Sequence, residues 1–422
     1  METIGRCAFS GRSDGGFLHI KAPICGALLL EDVVKRSTIA RVTPVSADKY
    51  LFVEIETADG RIGVGESGAW AHIEATRTVI EKFAEYLVGR DAEEIEKHWQ
   101  ILCRFGSYAG SLVMGALSAV DVALWDLKGQ RLGEPIYALL GGPYRQKMRV
   151  YGHARGATRK QLVERPTLLK AAGFNAVGHV NPFLDEDVDK PVSGTFASRL
   201  RFAVETLEEV RSAIGPDTDL CIEIHRRLRP AEAIALGHSI SHVMPLFYED
   251  PIRPDSASAM CMVQNQLKIP IATGERLFTL QQFHQLLESG GARYLRPCLS
   301  LCGGFTGARK VAALAEVYDV DLIPHNTYSP IATVASMHLA ASIPNLLILE
   351  YPTARYTDDI ASTGLVAQEL AVRSPVQQGG YVTVEDRPGL GTGLVEGVTE
   401  AFPYRPIPIY TRLNIDGSPT EH

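Results

Sequence analysis

The chain has 422 residues, 45% apolar and 22% charged, with 42 Lys and Arg against 49 Asp and Glu, a net charge of −7. That apolar share excludes a disordered chain, and the length exceeds one small core, so a large barrel with an accessory domain or two to three smaller domains is expected. The mild negative charge, without any Lys/Arg-rich block, argues against a nucleic-acid partner, and the longest apolar run, Ile331 to Leu349, is broken by His338, Pro344 and Asn345, so no membrane association is expected.

The first 40 or so residues mix Gly, Pro and charge without a period and read as a tail or mobile loop. Within them, the run Ile24 to Leu30 is followed by acidic and basic residues and lacks the small-residue cleavage site of a signal peptide. An unexported, cytoplasmic protein is therefore expected. Seven cysteines (Cys7, Cys25, Cys103, Cys221, Cys261, Cys298, Cys302) include no CxxC pair and fit reduced thiols.

Tyr50–Thr57 and Ile62–Glu66 flank Ala58-Asp59-Gly60-Arg61, a β-hairpin signal built on Asp-Gly. Helical stretches follow over Ile73 to Leu87 and Ala109 to Arg131, so residues 40–145 form an α+β unit. From Met148 the pattern changes to short apolar runs separated by helix-like sequence. Strands are predicted at Met148–Tyr151, Asn175–Val180, Leu220–Ile224, Leu246–Tyr248, Ile269–Thr273, Arg293–Leu295, Val320–Ile323 and Leu346–Leu349. Helical segments such as Pro230–Ser239 and Gly307–Tyr318 lie between them. Eight strands alternating with helices imply an α/β fold, a (β/α)8 TIM-type barrel. Beyond residue 376, one more strand-like run, Gly380 to Val384, is expected to return to the N-terminal unit and complete it. The resulting division is 1–145, 146–375 and 376–422. Gly389-Leu-Gly-Thr-Gly follows Pro388 and precedes no helix, so it reads as a turn and not a dinucleotide fingerprint.

The strand ends carry the chemistry. Glu223 and His225 follow the third barrel strand, Glu249 and Asp250 the fourth, and Glu275 the fifth, with the three glutamates at 26-residue intervals. Each lies on the side where a barrel assembles its active site. Three anionic groups converging in one mouth repel one another unless a cation sits among them, and oxygen-only ligation suits Mg²⁺ better than Zn²⁺. Arg296 and Cys298 follow strand six, His325 strand seven and Glu350 strand eight. A carboxylate substrate on Mg²⁺ would have its α-proton acidified, because the metal stabilises the enediolate formed on deprotonation. One histidine can then take that proton while the other delivers one to a departing hydroxyl.

The motifs Glu223-Ile-His-Arg-Arg-Leu, Glu249-Asp-Pro, Thr273-Gly-Glu-Arg-Leu-Phe, Cys302-Gly-Gly-Phe-Thr-Gly, Pro324-His-Asn and Leu349-Glu-Tyr resemble the enolase superfamily in its mandelate racemase-like branch. Ala123-Leu-Trp-Asp-Leu-Lys-Gly and Val150-Tyr-Gly-His-Ala add to the likeness, which runs from about residue 38 to 400 and is strongest to the galactonate and mannonate dehydratases. The resemblance implies Mg²⁺ ligation by Glu223, Glu249 and Glu275, and a cap over the mouth built from the N-terminal unit and the C-terminal segment. It implies His225 as the acid that protonates a leaving 3-hydroxyl, and His325 as the base at C2 in the galactonate pattern or a substrate contact in the mannonate pattern. Arg296 and Glu350 would bind the substrate's carboxylate and hydroxyls, with Asn181 and Cys298 as further substrate contacts.

Three departures stand out. Cys298 occupies the place where such members carry an aspartate that orients the histidine base; a thiol there could itself act in acid-base chemistry, but packing as a small apolar group is the favoured reading. The second-strand lysine of racemases is replaced around Gly178-His179-Val180-Asn181, where His179, like His153, sits at a strand end. Asn181 to Leu200 holds no tyrosine that could serve as the mannonate-type base.

The expected activity is Mg²⁺-dependent dehydration of an acid sugar, an aldonate or aldarate. Racemisation, epimerisation or cycloisomerisation through the same enediolate is an alternative, as is a metal-binding member with little catalysis. Specificity is expected to reside in the loops Gly11–Ser46 and Trp70–Thr76, and self-assembly into a homo-oligomer is expected.

Overall fold

Ile39–Ala47 (β1), Tyr50–Thr57 (β2) and Ile62–Glu66 (β3) form an antiparallel three-stranded meander. The computed structural model describes residues 37–107, 110–184, 189–353 and 363–421. The stretch read as a tail, with Ile24–Leu30, Cys7, Cys25 and the loop from Gly11 to residue 36, lies outside the described residues. The expected hairpin is β2–β3, with Phe52 opposite Glu66 and Glu56 opposite Ile62. Its turn is closed by the Thr57 hydroxyl, which donates to Asp59 Oδ1 at 2.7 Å, and by Gly60 at a φ of 84°, where glycine is favoured.

Helices Ile73–Leu87 (α1), Ile95–Arg104 (α2) and Ser111–Leu132 (α3) pack with this sheet around an apolar core of their own. Ala109, where the third helix was expected to begin, lies outside the described residues. A β-carbon at Gly63 or Gly65 would stand 2.2 or 2.0 Å from the carbonyl oxygens of Ala123 and Ala119, so glycine alone lets β3 lie this close to α3. Buried residues occur all round α3, as a helix enclosed on every side requires.

After the short helix Ile136–Leu139 (α4), eight parallel strands follow: Met148–His153 (β4), Ala176–Val180 (β5), Asp219–Glu223 (β6), Phe247–Glu249 (β7), Ile271–Thr273 (β8), Tyr294–Leu295 (β9), Asp321–Leu322 (β10) and Leu349–Tyr351 (β11). They neighbour one another in chain order from β4 to β10, and β11 returns beside β4. The ring closes where Leu322 bridges Leu346 and its N–H donates to the Asn345 carbonyl at 2.8 Å. The expected (β/α)8 barrel is thus the observed architecture. Between consecutive strands run Arg159–Ala171 (α5), Phe196–Ile214 (α6), Pro230–Ile240 (α7), Ala257–Gln266 (α8), Leu280–Ser289 (α9), Gly304–Val317 (α10) and Pro330–Ser342 (α11). Side chains of Thr158, Thr195, Ser256, Thr279 and Ser329 accept from first-turn N–H groups of α5, α6, α8, α9 and α11, which fixes where each loop becomes helix.

The barrel interior is a packed layer of Tyr151, Ala176, Cys221, Phe247, Ala272, Ile323 and Ile348, all fully buried. The alternate strand positions, among them Val150, Val177, Leu220, Ile222, Tyr248 and Leu349, face the helices.

The C-terminal segment departs from expectation. Its strand is Tyr381–Val382 (β12), and it pairs antiparallel with Arg149 and Met148 of β4, not with the N-terminal sheet. The start of β4 is available because its ladders to β11 and β5 begin only at Val150 and Gly152. Residues farther on do reach the N-terminal unit. The Leu390 N–H donates to Asp126, Asp48 N–H to the Phe402 carbonyl, and the Tyr404 hydroxyl to Glu74. No helix among the described residues is long and apolar enough to cross a membrane.

Candidate active site

Side chains alternate across a strand, so the positions two residues beyond the interior layer point into the same space at the strands' C-terminal ends. From Tyr151, Cys221, Phe247, Ile323 and Ile348 this places His153, Glu223, Glu249, His325 and Glu350 around the mouth. Glu223 and Glu249 are direct partners on neighbouring β6 and β7, each 1% exposed. Two carboxylates paired this way and removed from water are unfavourable in isolation. Neither oxygen of Glu223 receives an N–H or hydroxyl donor, its carboxyl faces that of Glu249, and Glu249 Oε1 is met by the Arg296 guanidinium. Burial, with the charges of Glu275 and Asp250 nearby, pushes the Glu223 carboxyl up to about 8, and burial likewise raises that of Glu249.

Glu275 follows β8 and turns to a cation already present. Its Oε1 binds Arg226 Nη1, and its Oε2 lies 3.3 Å from His325 Nε2. Arg226 also holds Asp250 at 3.1 Å, and Asp250 accepts from the Thr273 hydroxyl at 2.5 Å. Burial opposes ionisation of Glu275, yet Arg226, with the two histidines, holds its carboxyl well below the usual range. Among the described residues, Glu275 does not form with Glu223 and Glu249 a group whose ligating atoms all lie within 4.8 Å of one another. The donor-free oxygens of Glu223, with Glu249 beside them and Glu275 just beyond the next strand, are nevertheless hard anionic ligands that fit Mg²⁺.

His225 adopts a φ of 55°, and its Nε2 is 2.6 Å from Arg226 Nη2. Burial and the Arg226 charge push this imidazole down to about 3. His325 Nδ1 is buried and has no hydrogen-bond partner. Cys298 bridges His325 through the backbone, but its thiol is paired with Tyr328 and packs among Leu301, Tyr328 and Ala332. Burial pushes that thiol up to about 12, so it is neutral and sits as a small apolar group.

Arg296, expected to bind substrate, is 0% exposed and faces protein on all three nitrogens. Nε lies 2.5 Å from Glu249 Oε1, Nη2 is 2.6 Å from Glu350 Oε2, and Nη1 donates to the Tyr151 hydroxyl at 2.8 Å. It joins the two walls of the mouth from beneath. Glu350 also accepts from the Asn326 N–H at 2.6 Å, and its Oε1 is 2.8 Å from His153 Nε2. Burial would raise the Glu350 carboxyl, but Arg296 and His153 hold it well below the usual range. His179 stacks on His153 with ring centroids 4.9 Å apart and approaches His225 at 6.4 Å. Asn181 is buried just beyond β5, and its Oδ1 accepts from the Phe183 N–H, so this side chain shapes the loop. The sequence reading missed Arg226 and Asn326, although each directly follows a histidine singled out there.

The N-terminal unit docks beside the mouth through buried acids. Glu66, at the end of β3, accepts from Ser329 N–H at 3.1 Å, Ser329 Oγ at 2.6 Å and Ala332 N–H at 3.1 Å, and so caps α11. Asp121 of α3 accepts from Thr306 N–H at the start of α10. Gly68 is held on both sides, donating to the Ser300 carbonyl and accepting from Tyr328.

A closed barrel with an acid-lined mouth and an α+β unit at its rim defines an enolase-type protein, and both halves match that class in sequence. Residues 168–398 match the enolase C-terminal domain-like family, and residues 25–141 the mandelate racemase/muconate lactonizing enzyme N-terminal domain. The chain belongs to the mandelate racemase/muconate lactonizing enzyme family of the enolase superfamily. It is 32% identical over 366 residues to a D-galactonate dehydratase of Ralstonia nicotianae, covering 86% of this chain and 93% of that one. Among solved structures it is similar to an Agrobacterium radiobacter enolase with sodium and L-malate bound (27% identity, TM-score 0.83, 91% of this chain and 100% of that one). It is also similar to a mandelate racemase/muconate lactonizing enzyme-like protein of a Roseovarius species (30% identity, TM-score 0.80, 89% and 98%).

Proposed function

We propose that this protein is a Mg²⁺-dependent lyase that dehydrates a sugar acid, an aldonate or aldarate, by removing the C2 proton and expelling the 3-hydroxyl. The observation that carries this reading is the pairing of buried Glu223 and Glu249 on neighbouring strands, with both oxygens of Glu223 free of N–H and hydroxyl donors. The galactonate dehydratase relatives support the substrate class.

Glu223, Glu249 and Glu275 would hold Mg²⁺, which when bound lowers the pKa of a substrate carboxylate's α-proton and stabilises the resulting enediolate. His325 is the base. Its Nε2 lies 3.3 Å from the Glu275 carboxylate, which orients the ring. His225 is the acid at the leaving hydroxyl. Burial and Arg226 hold its imidazole unprotonated in the free protein, so it delivers a proton only after an anionic substrate has entered and favoured the imidazolium. Arg296 is a positioning residue that keeps Glu249 and Glu350 apart and oriented.

Incubating the protein and Mg²⁺ with a panel of aldonates and aldarates tests the reading. The expected product is a 2-keto-3-deoxy acid from at least one member. Epimerised or lactone-opened product without keto acid overturns dehydration, and the absence of C2 deuterium exchange across the panel overturns catalysis altogether.

A further inference from the structure

We infer that His153, His179 and Glu350 form a second metal site in the same mouth, beside the glutamates, for a borderline transition-metal cation such as Zn²⁺ or Co²⁺. Their ligating atoms all lie within 4.8 Å of one another, and no other set of three His, Cys, Asp or Glu among the described residues meets that geometry. All three are buried. They project from β4, β5 and β11, which are contiguous in the barrel wall, with Tyr151 opposite Glu350 and His153 opposite Gly178. Two imidazoles and one carboxylate suit Zn²⁺ or Co²⁺, whereas the all-carboxylate group on β6 to β8 suits Mg²⁺.

His179 reaches the cluster only through an irregular backbone. The β5–β6 register shifts between Val177 and Val180, and His179 takes a φ of 55°, a costly conformation for a non-glycine residue. Gly178 lets the Tyr151 ring pack against the strand beside it, since a β-carbon there would meet that ring at 2.2 Å. The other two ligands are fixed from behind. Glu350 Oε2 is held by Arg296 and the Asn326 N–H, leaving Oε1 toward His153, and the His153 carbonyl accepts from the Thr353 hydroxyl at 3.0 Å. Such outer contacts orient ligands in metal sites. Arg296 and Arg155 are the cationic groups facing the cluster, and they oppose the added charge.

The test is Co²⁺ titration of the chelator-treated full chain in excess Mg²⁺, followed by visible absorption and calorimetry. One equivalent should bind with the d–d bands of a four- or five-coordinate nitrogen and oxygen site. Affinity should fall at least about tenfold in H179N and in H153Q, and should be unchanged in E223Q. Thermal melts identify any variant that does not fold, and H179N alone decides if H153Q fails. Absence of the bands in the parent chain overturns the site. So do bands that persist in H179N and vanish in E223Q, which would assign the cobalt to the glutamates.

Discussion

The molecule buries two kinds of carboxylate, and the contrast between them separates scaffold from chemistry. At the seam, Glu66 accepts three donors from the start of α11, and Asp126 accepts the N–H groups of Val64 and Leu390 at 3.0 and 2.8 Å. In the mouth, Glu223 is buried to the same extent and both of its oxygens lack a donor. Desolvation is unfavourable in both places, but the fold supplies compensating hydrogen-bond donors to Glu66 and Asp126 and no N–H or hydroxyl donor to Glu223. Glu66 and Asp126 therefore stabilise the structure, whereas Glu223 weakens it and keeps its lone pairs for a ligand.

Replacing one member of each set should produce opposite outcomes. The largest effect is expected for E223Q, whose turnover should fall by about 10³-fold or more while its melting temperature holds or rises, since a buried like charge is removed. Activity loss accompanied by a large stability loss would erase the contrast. E66A should do the reverse. Leaving Ser329 and Ala332 without their acceptor should cost about 3 kcal/mol of unfolding free energy in denaturant titrations.

Proton linkage sharpens the seam half of the comparison. Burial pushes the Glu66 carboxyl up to about 7 from an ordinary 4.5, so the folded state holds a proton that the unfolded state has already lost between those values. Its contribution is fully present below about pH 4.5 and is lost as pH rises through about 7. Melting curves of the parent and E66Q should show the parent's margin over the variant shrinking from pH 5 to pH 8. His338 runs the other way. Burial lowers its imidazole to about 4, so its contribution is full above pH 6.5 and falls as pH drops toward 4. H338Q should therefore lose less stability than the parent on acidification.

The smallest effect is expected at Cys298. C298S should change turnover by less than about threefold, because the thiol pairs with Tyr328 and not with His325. A loss of 100-fold on this substitution would show that the thiol takes part in proton transfer.

What the sequence made legible follows from local rules. Eight short apolar runs between helical stretches define the barrel, and the two-residue period carries each interior residue to a strand-end side chain. For that reason Glu223, Glu249, Glu350 and His325 could be placed before any coordinates. The rest depends on contacts between distant parts of the chain. Nothing local shows that Glu275 pairs with Arg226, 49 residues away, or that Arg296 spends all three nitrogens on protein groups. Glu66 meets Ser329 across 263 residues and reads in sequence only as the end of a hairpin. The pairing of β12 with β4 was equally hidden, since it depends on where the neighbouring ladders of β4 begin.

The central claim is that the donor-free oxygens of Glu223 form, with Glu249 and Glu275, a Mg²⁺ site. Calorimetric titration of Mg²⁺ into the parent chain, E223Q and E66Q tests it most directly. One equivalent should bind to the parent and to folded E66Q, with no measurable binding to E223Q. Equal Mg²⁺ affinity in E223Q and the parent would contradict the account.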